Sequence, residues 1–212
     1  MKLYVATILV GTCLTLGACA TGSSHTQKNM KRPQAQSQDY IAQTGKKRGR
    51  FELVDKIQFL QTDKRWARQT LGGSGESLAK YGCLVTASAM ALTNLGFKTD
   101  PGDLVNRLKA NKGFTKNGLL IWTGLERVTG GRTKTVFYKR KDDAVVRACL
   151  EAGYYPLVKF DLASRRTHWA VVIKETKKGF YVRDPMVASS VPIPLKSRAR
   201  GIDAVRCIGM KT

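Results

Sequence analysis

Tyr81-Gly82-Cys83-Leu84-Val85-Thr86-Ala87-Ser88-Ala89-Met90-Ala91-Leu92 is the stretch around which the chain is organised. A glycine and a cysteine are followed by at least two turns in which apolar residues recur three and four positions apart, the pattern of a packed helix. The helix is expected to stop at Asn94-Leu95-Gly96, with Gly96 as its C-terminal cap. Cys83 then falls in the first turn. Backbone N–H groups there lack intrahelical acceptors, and the positive end of the helix dipole favours a thiolate and offers donors to an oxyanion. Two readings stand at this point: a nucleophile, or a small buried residue closing the helix onto the core.

Downstream, Thr99-Asp100-Pro101 pairs a capping residue with proline at the first helical position, and opens a helix through Leu104, Val105 and Leu108. A Gly/Asn/Lys loop precedes a third helix near Leu119 to Val128, ended by Gly130-Gly131. The period then changes. Thr133 to Tyr138 reads as a strand, Asp142 to Ala152 as a helix closed by Gly153, and Tyr155 to Phe160 as a strand. His168 to Ile173 and Phe180 to Val182 form the clearest hairpin, joined through Lys177-Lys178-Gly179, and Val191 to Leu195 and Ala204 to Ile208 are weaker strands. Helices first and an antiparallel sheet second is the order of an α+β domain. Upstream, the glycines of Leu71-Gly72-Gly73-Ser74-Gly75-Glu76 mark a loop, and Gln61-Thr62-Asp63-Lys64-Arg65-Trp66 follows an apolar run.

His168 is the only histidine of this region; it opens one strand of the hairpin, and Asp184, in Arg183-Asp184-Pro185, ends the other. A tight hairpin makes those ends neighbours across the ladder. The pair is what nucleophilic catalysis needs: an imidazole to take the thiol proton and a carboxylate to hold its tautomer and angle. Taken singly, His168 is a strand histidine and Asp184 an Asp-Pro turn former.

Together with Cys83 these residues occur in the order of a known family. Gln61-x-Asp63-x-Arg65-Trp66, Gly82-Cys83 opening a helix with Ser88 and Met90, Gly96, Pro101, Trp122, His168-Trp169 with Val171, and Asp184-Pro185 resemble the bacteriocin-leader-peptidase-like cysteine peptidases, the thirty-ninth cysteine peptidase family. The likeness is to the stand-alone exported members of papain-like fold, and spans Gln61 to Pro185. It implies a papain-like α+β fold, with N-terminal helices packed on an antiparallel sheet. It also implies Cys83 as nucleophile, His168 as general base and acid, and Asp184 as orienter. Papain-like enzymes place an oxyanion-hole glutamine a few residues before the cysteine, where Ser77 stands here. Gln61 is the glutamine that can take that role if the glycine-rich loop is an insertion; its other reading is a polar brace for Trp66. With no transporter segment and no phosphate-binding loop, processing of a leader peptide during export is not expected.

The N-terminus sets the expected location. Lys2 precedes an apolar run from Leu3 to Ala18, shorter than a comfortable transmembrane helix and right for a signal-peptide core. Leu16-Gly17-Ala18-Cys19 resembles the lipobox of bacterial lipoproteins, which implies a signal peptide over 1–18, lipid on Cys19, and a membrane association through that lipid. Ala20 after the cysteine implies the outer membrane, facing the periplasm or the surface. Residues 19–50 read as the lipidated cysteine and a flexible basic tether of net charge +6, with too few large apolar side chains to fold. The domain is expected over 51–212.

That domain carries 29 basic and 14 acidic side chains, a net +15 within the chain's +22. Such an excess suits anionic envelope polymers and headgroups. No helix-turn-helix, zinc-ligand spacing or aromatic-rich sheet motif is present, so nucleic acid is not an expected partner, and neither a metal nor a cofactor is expected. With Cys13 in the signal and Cys19 lipidated, Cys83, Cys149 and Cys207 remain: either Cys149 pairs with Cys207 and leaves Cys83 reactive, or all three are thiols. The expected activity is hydrolysis of a peptide or amide bond, the substrate a cell-envelope peptide, through a Cys83 thioester. The alternatives are a catalytically silent envelope-binding module on the same fold and a cysteine-dependent acyl or peptidyl transferase.

Overall fold

A computed structural model describes residues 51–212. Helices α1 (Leu78–Tyr81), α2 (Cys83–Asn94), α3 (Pro101–Ala110) and α4 (Trp122–Val128) come first. Then follow β1 (Thr133–Phe137), α5 (Asp143–Glu151), β2 (Tyr155–Asp161), β3 (Thr167–Thr176), β4 (Gly179–Arg183), β5 (Ile193–Pro194), a 3-10 turn at Leu195–Ser197, and β6 (Ala204–Met210). The strands form one six-stranded sheet in the order β1-β6-β2-β3-β4-β5, every neighbouring pair antiparallel.

Side-chain alternation divides this sheet between two cores. Leu157, Val171, Ile173 and Ile208 pack against α2, α3 and α4 through Ala87, Met90, Leu104, Leu108 and Leu125. The intervening residues Val158, Ala170, Val172 and Val205 pack against Val145, Val146 and Leu150 of α5. Helix α2 is central, buried at every residue from Val85 to Leu92, with Cys83, Leu84 and Thr93 half-buried at its ends. With small side chains on most of its surface it lies close to β3, against which it makes its main contact.

The capping chemistry is where the sequence places it. The Asp100 carboxylate accepts the Asp103 N–H at 2.8 Å with Pro101 at the first helical position, and Gly96 has φ +93°, a left-handed C-terminal position open to glycine. Helix α4 begins three residues later than expected, because Leu119 and Leu120 are drawn into bridges with Thr115 and Phe114. The expected strand Val191 to Leu195 shrinks to β5 and its turn. Cys149 of α5 is disulfide-bonded to Cys207 of β6, tying the second-face helix to the sheet, and Cys83 is the free cysteine of the described residues. Closing a loop of 58 residues constrains the unfolded chain by about 4 kcal/mol in the chain-entropy picture. Among the described residues no helix is long and apolar enough to cross a membrane. The lipobox, Cys19 and the tether lie outside the described residues.

Candidate active site

Gly82 lets two helices abut. A Cβ there would collide with the carbonyl and side chain of Leu78, so only a residue without one allows α1 to run straight into α2. Gly82 is the N-cap of α2 and has no side chain to cap with, which makes Cys83 the first helical residue and leaves first-turn N–H groups directed at the space before the helix. Cys83 is half-buried at the wall of a cleft of about 740 Å³. His168, Gln61, Tyr81, Leu119, Trp169 and Met186 line the same cleft.

His168 lies opposite Phe160 in the β2–β3 ladder and packs edge-on against that ring, 5.4 Å between centroids. Its Nε2 is 2.7 Å from Asp184 Oδ1, with both side chains almost wholly buried. Cys83 shares the cleft with His168, and its side chain is among the groups that raise the imidazole. Burial pulls the imidazolium down, but hydrogen bonds to Asp184 and Cys83 and the charges of both outweigh it and push His168 up to about 9.

Asp184 is held on every side. Oδ1 also accepts the Met186 N–H at 2.8 Å, Oδ2 accepts Arg198 Nε at 2.8 Å, and its carbonyl accepts Gln58 Nε2 at 2.9 Å. Burial works against the charged carboxylate, yet His168, Arg198 and the Met186 N–H keep Asp184 below the usual carboxylate range. The ladder explains how it arrives. Asp184 is one step past the end of β4, and a register shift between Val172 and Lys174 pairs Val171 with Arg183, where an unshifted ladder would set Val171 opposite Asp184. Continued one step, that register sets it across from Ala170, the same-face neighbour two residues from His168, within side-chain reach.

Gln61 is also buried at the cleft, 22 residues upstream of Cys83, its N–H donating to the Pro185 carbonyl at 2.9 Å. Its Nε2 donates to the Ala79 carbonyl at 2.7 Å, which leaves one amide hydrogen over, and Oε1 has no partner. The Trp66 indole N–H donates to the Leu60 carbonyl at 2.8 Å and not to Gln61.

The supporting polar residues escaped sequence reading. Arg198 comes from the 3-10 turn's end, and nothing in its neighbourhood distinguishes it from the other basic residues. Arg183 is buried, fork-bonded to Asp55 at 2.8 Å on both arms, and donates to the Ser189 and Ser190 carbonyls. It fixes the loop that follows Asp184. Among the described residues no three His, Cys, Asp or Glu side chains are grouped to hold a metal.

No family model matches the chain, and no curated protein matches it in sequence. In three dimensions it is similar to a crystal structure described as a C39-like peptidase from Bacillus anthracis, with a TM-score of 0.52 at 14% identity, covering 77% of this chain and 99% of that one. At that identity the likeness speaks to the fold: an α+β domain of papain-like type, its helices set against an antiparallel sheet.

Proposed function

We propose that this chain is an exported, lipid-anchored cysteine hydrolase that cleaves a peptide or amide bond through a Cys83 thioester. The observation that carries the reading is the buried His168–Asp184 pair, 2.7 Å apart, with His168 lining the same open cleft as Cys83 at its helix start. In the proposed cycle the Cys83 thiol gives its proton to His168 and the sulfur attacks the substrate carbonyl. The oxyanion is met by the Cys83 N–H and the spare amide hydrogen of Gln61. Collapse expels the amine, which takes its proton from His168, and water activated by the same imidazole then cleaves the thioester. Asp184, oriented by Arg198 and Met186, holds the ring throughout. Location makes cell-envelope peptides the natural substrates.

The test is labelling by a thiol-directed inhibitor that mimics an amide. Cys83 in the wild type should be labelled, and His168→Ala should slow labelling by roughly 10² or more, the scale of general-base catalysis. Equal rates in the two would sink the assignment. A chain that binds peptides equally well with Cys83→Ala, and turns over no member of a peptide library, is instead a silent binding module. Amine adducts formed in place of acid products would mark it as a transferase.

A further inference from the structure

A second cleft lies beside the Asp184 network. Its walls are the β2–β3 turn and the segment after β5, and it encloses about 630 Å³, the size range of small-molecule sites. Four cations line it, Arg165, Lys196, Arg198 and Arg200, with two carboxylates, Asp161 and Asp203. Its net charge is therefore +2. Among the described residues the side chains of Arg165, Lys196 and Arg200 have no hydrogen-bond or ion-pair partner, and neither carboxylate is paired with any of the four. Arg198 spends only its Nε on Asp184, so its Nη groups remain for a ligand.

Of the four cations only Arg198 is turned toward a carboxylate, Asp184, and the charges of Arg165, Lys196 and Arg200 are left without a counter-ion on the cleft wall. Arg165 has φ +59° in a tight turn closed by Leu162 and Arg166, a position where glycine or asparagine would be unstrained. Three of the four cations are guanidinium groups, whose fork matches the oxygens of a phosphoryl group, and a phosphomonoester of charge about −2 neutralises the cleft.

We propose that this cleft is a binding site for a phosphoryl group, carried either by a soluble phosphomonoester or by a phospholipid headgroup. It is separate from the Cys83 cleft and does not depend on that cleft being catalytic. Leu162 lines both clefts and Arg198 joins this one to Asp184, so a bound phosphoryl group lies one side chain from the histidine's partner.

The test compares the full chain with two triple variants. Arg165→Asn, Lys196→Gln and Arg200→Gln empty the cleft of exposed cations and keep a residue tolerant of positive φ at position 165. Lys64→Gln, Arg68→Gln and Lys98→Gln remove the same charge from exposed residues that do not line it. Circular dichroism and thermal midpoints establish that both variants fold. Binding of glycerol 3-phosphate is measured by calorimetry at 150 mM salt, with glutarate as a dianion of different shape. Partition into phosphatidylcholine vesicles with and without phosphatidic acid is measured in parallel, the N-terminal segment being common to all three proteins. The proposal expects the cleft variant to lose at least about tenfold in affinity, and the distant variant to stay within about twofold of wild type. Loss in the calorimetric arm identifies a soluble ligand; loss only of the phosphatidic acid preference identifies a headgroup. Equal weakening in both variants, no change in either, or glutarate binding as tightly as glycerol 3-phosphate overturns it.

Discussion

His168 is subject to opposed demands. Its burial favours the neutral ring, while the Asp184 carboxylate and the Cys83 sulfur favour the imidazolium, and the balance sets its pKa at about 9 against an ordinary 6.5. Because the folded value lies above the unfolded one, the stabilisation is fully present below about pH 6.5 and is lost as pH rises through about 9; it is on the order of 3 kcal/mol. Asp184 carries the opposite sign. Its depressed folded value gives stability that is present above the ordinary carboxylate range and lost as pH falls through the folded value. Asp184→Asn removes the strongest influence raising the imidazole and leaves Cys83 alone against burial. Its His168 titration, followed by NMR of the ring C–H, should move down from about 9, and the alkaline limb of amide hydrolysis should move with it. A titration that stays near 9 would show that another group sets the charge of the ring.

At the scale of elements, the joint between α1 and α2 places the sulfur. Any side chain at position 82 meets the Leu78 carbonyl, and backbone cannot yield as a flexible side chain does. Gly82→Ala should therefore cost about 1–3 kcal/mol in denaturant unfolding, and displace Cys83 enough to slow its labelling while the His168 titration persists. Wild-type stability in that variant would mean that α1 can swing aside freely. The β3 bulge plays the matching part on the other wall, since it sets which residue follows β4 into the site. On the second face α5 is fastened by the Cys149–Cys207 disulfide and by the buried pair Arg147–Glu175 at 2.7 Å. These hold the sheet's far side without touching the cleft.

For the whole molecule the governing feature is charge. Residues 51–212 carry a net +15 and residues 19–50 a net +6, so long-range attraction to anionic surfaces acts on both parts of the chain. Under the lipoprotein reading proposed above, Cys19 carries acyl chains that each bury about 0.8 kcal/mol per methylene. Cys19→Ala should release the protein from membranes or stall its processing, with the domain's thermal midpoint unchanged. A correctly cleaved variant recovered in the same membrane fraction would place the attachment in the basic tether. The same excess of charge explains why the phosphoryl proposal is tested against a variant of equal charge.

Local sequence carried the helix start at Gly82-Cys83, the Asp100-Pro101 cap, the closing Gly96 and the β3–β4 hairpin, because each rests on residues within one or two turns of one another. It brought Cys83, His168 and Asp184 to notice through their order and their places at element ends. What it left open needed contacts distant in the chain. Periodicity records that a strand residue is buried, not which of two faces it takes, so the seat of α5 opposite the other helices emerged only from the packed sheet. The pairing of Cys149 with Cys207 was undecided for the same reason. In a domain with 29 basic side chains, composition cannot say that Arg198 closes on Asp184 or Arg183 on Asp55, partners 14 and 128 residues away. Those choices are made by the sheet register and by the cost of burying a carboxylate without a donor, and both exist only once the chain has folded.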